Sequence, residues 1–175
     1  MANISKAIER NFINSVLPTF GNQRATVGPV WDEGQKMFIV DEYEAESGNR
    51  YYRGVRFCDR MVMVEYVGLY HNWTYIDGIE LYIFDGNKLN LAQKRTYNKV
   101  FRNEDTVRRE TKSMLRQYLS GIAKSQKHSI NDDSIDGIVD QTIADCYKSF
   151  LDDDYNVRLN QQVLPQIKKL EMRLS

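Results

Sequence analysis

The sequence predicts an α+β domain in which an N-terminal helix and an antiparallel meander of five or six strands precede three C-terminal helices packed on one sheet face. Three observations carry this. Upstream of Phe101 the chain consists of short aromatic and β-branched runs broken by turn residues. Downstream of Phe101 apolar residues recur at helical spacing. The 175 residues suit one domain with its own core, without metals or cross-links. Residues 1–175 therefore read as a single domain: a helix in 1–20, a sheet in 26–98 and a helical layer in 103–175.

Ile4, Ala7, Ile8, Phe12 and Val16 form one apolar stripe, which Pro18 and Gly21 end. Val27–Trp31 and Lys36–Tyr43 flank Asp32-Glu-Gly-Gln35, and the second run meets Arg50–Phe57 across Glu46-Ser-Gly-Asn49, giving two hairpins. Pro29 lacks a ladder donor, so its strand belongs at an edge. Met61–Tyr70 is apolar on both alternating faces and belongs in the middle. Its second face then needs cover from the N-terminal helix, the last helix or another subunit. The long run to Phe84 contains Asp77-Gly78, read as a bulge, and Asp85-Gly86 marks a tight turn into Lys88–Tyr97.

Asn103 or Asp105 caps a helix with Val107, Thr111, Met114, Leu115, Tyr118 and Ile122 on one side, ending near Gln126. Asn131 or Asp133 caps the next, with Ile135, Ile138, Val139, Thr142, Cys146 and Phe150 inward. Asp152-Asp-Asp154 suits the start of a last helix bearing Leu159, Val163, Ile167, Leu170 and Leu174, which Pro165 kinks or begins.

Charge is sharply segregated although the total is zero. Gly86–Lys127 holds eleven Lys/Arg against three Asp/Glu, and Asn131–Asp154 holds eight Asp against one Lys. Arg108, Lys112 and Arg116 repeat every four residues on the first long helix, as Asp132, Asp136 and Asp140 do on the second. The favoured reading is an electrostatic zip between antiparallel neighbours. The alternative is a basic surface of Lys94, Arg95, Arg102, Arg108, Arg109, Lys112 and Arg116, continued by Lys99, that faces phosphates or an acidic partner.

The strands carry Tyr43, Tyr51, Tyr52, Tyr66, Tyr70, Tyr75, Tyr82 and Tyr97, interleaved with Arg50, Arg53 and Arg56. Cross-strand packing explains most of this, and a partner-binding face is the functional alternative. Trp31, Tyr52, Arg53, Arg56 and Trp73 are its candidate contacts.

Signals for chemistry are thin. His71 and His128 stand alone, and Cys58 and Cys146 read as reduced core thiols, so no metal site assembles locally. Asp132, Ser134, Asp136 and Gly137 fit an EF-hand loop at positions one, three, five and six, but position twelve is Ile143 where a bidentate Glu is required. No nucleophile elbow, phosphate loop or dinucleotide fingerprint occurs. No catalytic residues and no cofactor are expected. No run is long and apolar enough for a membrane helix, and the charged start lacks a secretory apolar core, which makes a cytoplasmic site the expectation. The leading reading is a non-catalytic protein-interaction or regulatory module, with self-association as a homodimer through its sheet as one form. The alternative is a nucleic-acid-binding protein using the basic segment 94–116.

Overall fold

A computed structural model describes residues 6–16, 30–32, 37–44, 48–58, 60–70, 73–125 and 131–147. The helix expected in 152–174, the caps at Asp152-Asp-Asp154, Phe150, and both histidines lie outside the described residues. The core is an α+β arrangement of an antiparallel meander and helices. Strands β1 (Val30–Asp32), β2 (Met37–Glu44), β3 (Arg50–Cys58), β4 (Met61–Tyr70), β5 (Trp73–Phe84) and β6 (Leu89–Phe101) pair in chain order. β4 lies between β3 and β5, as its two-sided apolar pattern requires.

One sheet face carries the helices α2 (Glu104–Ser125) and α3 (Asp132–Cys146). Asn103 caps α2, its side-chain oxygen accepting from the Thr106 amide at 2.8 Å, and Asn131 caps α3 in the same way through Ser134. Val107, Met114 and Leu115 of α2 and Ile135, Val139 and Ile143 of α3 close on Met61, Met63, Ile76, Ile79 and Leu81. Ile138, expected on this inner side, is exposed instead. The zip forms as two pairs, Lys112 Nζ–Asp140 Oδ1 at 3.1 Å and Arg116 Nε–Asp136 Oδ1 at 3.4 Å.

The reduced-thiol expectation is corrected. Cys58, last in β3, and Cys146, last in α3, are joined by a disulfide across 88 residues, their Cα atoms 4.2 Å apart. The bridge ties the end of α3 to the sheet.

The second face is covered at one end by the N-terminal segment. A single helix was expected there. The chain instead forms the short α1 (Lys6–Asn11) followed by a π-helical turn over Phe12–Val16. This shift still buries Ile8, Phe12 and Val16, and the Phe12 ring meets Phe57 edge-on at 5.3 Å. The Asn11 side-chain oxygen accepts from the Leu89 amide at 2.9 Å, pinning the segment to the start of β6. Val62 and Val64 are fully buried on this side. The Asp85-Gly86 turn is organised by Asp85, whose carboxylate accepts from the Asn87 and Lys88 amides and from Asn90. Those bonds hold the Asp85 carboxyl below its ordinary pKa.

Candidate functional site

Strand parity distributes the side chains that carry charge and aromaticity. On the helix face, Arg56 of β3 and Glu65 of β4 are buried together, with Arg56 Nη1 donating to Glu65 Oε2 at 3.0 Å. Arg102, between β6 and α2, donates its Nε to the other carboxylate oxygen and reaches Glu104 Oε1 at 3.2 Å. Glu104 also meets Arg56 at 3.4 Å. Burial opposes the Arg102 charge, but the adjacent Glu65 carboxylate outweighs it and raises the guanidinium pKa. Tyr147, at the end of α3 and next to the bridged Cys146, lies between Arg56 and Arg108, 4.7 Å and 4.0 Å from its ring centre. Here every formal charge meets an opposite charge or a ring face, and the cluster cements β3, β4 and both helices.

The opposite face behaves differently beyond the N-terminal cover. Next to the cover, Glu80 accepts from the Tyr66 and Tyr82 hydroxyls, and Arg53 lies over the Tyr66 ring at 5.7 Å. Burial and the nearby Glu80 push the Tyr82 hydroxyl up to about 12 and raise Tyr66 as well. Farther along, Tyr51, Tyr70, Tyr75, Phe101 and Trp73 form a continuous aromatic row across β3 to β6, with ring centres 5.0–5.6 Å apart at each step. Trp73 is 59% exposed and Phe101 53%.

A pocket of about 330 Å³ opens beside this row, lined by Tyr70, Tyr75, Asp77, Tyr97, Asn98 and Lys99. Two irregularities create it. Asp77 is the extra residue of β5 where the register passes from Ile76↔Val100 to Gly78↔Thr96, and the same step leaves Tyr97, Asn98 and Lys99 extra on β6. Lys99 takes a left-handed backbone, φ 57°. Gly68 supplies room between the Asp77 carboxylate and the Tyr70 ring, since a Cβ there would sit 2.8 Å from Asp77 Oδ2 and 2.7 Å from Tyr70 Cε2. The Asp77 carboxylate receives only a long hydrogen bond, 3.5 Å, from the Tyr70 hydroxyl and has no ion-pair partner among the described residues. Burial raises its pKa, which the Tyr70 bond only partly offsets. Burial, Tyr51 and Asp77 together raise Tyr70.

The partner-contact candidates are therefore divided. Trp73 stands on the open face and Arg53 beside the Tyr66–Glu80 pair, whereas Arg56 is buried in the helix-side cluster. Tyr52 pairs with Val67, which places it on the helix side, and Trp31 pairs with Phe38 in β1, its side chain outside the described residues. In the basic set, Arg95 binds Glu110 at 2.8 Å, Arg102 binds Glu65 and Glu104, Lys112 and Arg116 form the zip, and Arg108 covers Tyr147. Lys94 and Arg109 are exposed. Sequence reasoning missed Asp77 as a site residue although it read the bulge that presents it. Among the described residues no three His, Cys, Asp or Glu converge as metal ligands. Comparison with protein-family models, with curated proteins and with solved structures finds no match.

Proposed function

We propose that the protein is a non-catalytic interaction module that self-associates through the aromatic end of its open sheet face. The aromatic row from Tyr51 to Trp73 carries this reading, because Trp73 and Phe101 remain more than half exposed while Val55, Val62 and Val64 farther along the same face are fully buried. Aromatic side chains deliver large contact area at low entropy cost, and zero net charge removes the repulsion that keeps copies apart. The basic-segment alternative draws less support, since four of its seven residues already neutralise carboxylates of their own chain.

Sedimentation velocity over about a hundredfold concentration range tests self-association by mass action. The wild-type protein associates as concentration rises, and a Trp73→Ser/Phe101→Ser variant stays monomeric with its thermal unfolding little changed. A wild-type monomer at every concentration would overturn the homodimer. The cytoplasmic expectation also weakens in this reading, because a disulfide such as Cys58–Cys146 persists chiefly in oxidising compartments. No described helix is long and apolar enough to cross a membrane.

A further inference from the structure

We propose that the Asp77 pocket binds an organic ammonium group, carried either by a small amine or by a lysine or methylated lysine side chain of a partner. This rests on the reading of the open face as a binding surface, but not on self-association. Three features converge on it. The lining includes Tyr70 and Tyr75, whose rings meet edge-to-face at 64° with centres 5.3 Å apart and continue into the stacked Phe101, an aromatic wall of the kind that attracts a cation. The volume, about 330 Å³, lies at the small end of ligand sites, suited to a compact head group rather than an extended chain. Its lining also holds the half-buried Asp77 carboxylate, which receives no cation among the described residues.

The last feature decides the sign of the ligand. Glu65 and Glu80 show how this protein treats its buried carboxylates: Glu65 receives two guanidiniums and Glu80 two tyrosine hydroxyls. Asp77 alone among these three is left with one long bond, and it is the one that faces a pocket. A neutral or anionic ligand would deepen the desolvation of Asp77, whereas an ammonium relieves it and gains contact with the aromatic lining as well. Lys99 at the rim is the internal competitor. Its exposed side chain makes no ion pair with Asp77, so the carboxylate stays open to an external cation, although the rim charge lowers affinity.

The test is a titration of the full chain, followed through the aromatic carbon–proton resonances of Tyr70, Tyr75 and Trp73. The probes are tetramethylammonium, its neutral counterpart tert-butyl alcohol, and a peptide containing trimethyl-lysine. Saturable shifts at Tyr70 and Tyr75 are expected with both cations and not with the alcohol. Asp77→Asn should weaken cation binding by about tenfold or more while the spectrum stays folded, and Lys99→Gln should strengthen it. Tighter binding of the peptide than of tetramethylammonium assigns the site to a protein partner, and the reverse order to a small amine. Equal binding of the alcohol, or an Asp77→Asn variant that binds as well as wild type, would overturn the proposal. A monomeric protein that still binds the cation removes self-association alone, and a dimer indifferent to cations removes this inference alone.

Discussion

Glu65 and Asp77 lie on adjacent strands of one sheet and face opposite ways, and their surroundings are opposites too. Glu65 is wholly buried and held by Arg56 and Arg102, both of which also reach Glu104 at the start of α2. Asp77 is half-buried on a bulge, touched by one tyrosine hydroxyl and open to a pocket. A saturated carboxylate of the first kind organises its own fold, since every charge it attracts comes from the same chain. A carboxylate of the second kind leaves electrostatic work undone, and a ligand can do it.

The same division separates apolar residues on the second face, and the largest expected effect breaks it open. Phe12→Ala, beneath the N-terminal cover, should cost about 3–5 kcal/mol in urea denaturation, while Phe101→Ala at the open end should cost less than about 1. Equal losses would mean that the open end is core. Next comes the bridge. Cys58→Ser, or reduction, should lower stability by about 2–5 kcal/mol, because a cross-link over 88 residues restricts the unfolded chain strongly and its loss frees Tyr147 from Arg56. Tyr70 and Tyr75 resonances should hold their positions in the molecules that remain folded, since the pocket lies on the other face. Lys112→Ala or Arg116→Ala should cost only about 0–1 kcal/mol, fading as salt is added, because both zip pairs are exposed.

The smallest effect is a pH slope. The Asp77 pKa is raised in the folded state, so between the ordinary carboxyl value and the raised one the native protein binds more protons than the unfolded chain. Its stability therefore falls as pH rises through that window, and the penalty is complete above it. Asp77→Asn should remove that slope from a stability-versus-pH curve. Asp85 works with the other sign: its lowered pKa contributes stability above the ordinary carboxyl range that is lost as pH falls through the folded value.

Much of this frame is legible in the residues. Asp77-Gly78 within a long strand announces the bulge, Asn103 and Asn131 announce the helix starts, and matching four-residue charge periods announce the zip. These signals are local, and local chemistry decides them. Two decisive pairings are not local. Nothing in the spacing of Cys58 and Cys146 says that the end of α3 returns to the end of β3. Arg56 and Arg102 look like surface cations until the fold brings both to Glu65, a lone acid inside an apolar strand whose burial demands such partners. That acid was the available clue. The β6 half of the pocket gives none, since Tyr97-Asn-Lys99 contains no glycine to mark a left-handed turn.

Urea denaturation of Glu65→Gln and Asp77→Asn side by side at neutral pH puts the contrast to its most direct test. Glu65→Gln is expected to lose about 3–5 kcal/mol, because the buried Arg56 and the partly buried Arg102 lose the carboxylate they share and keep only the half-open Glu104 between them, while Asp77→Asn is neutral or slightly more stable. An Asp77→Asn variant destabilised as much as Glu65→Gln would contradict it and make Asp77 a second structural carboxylate.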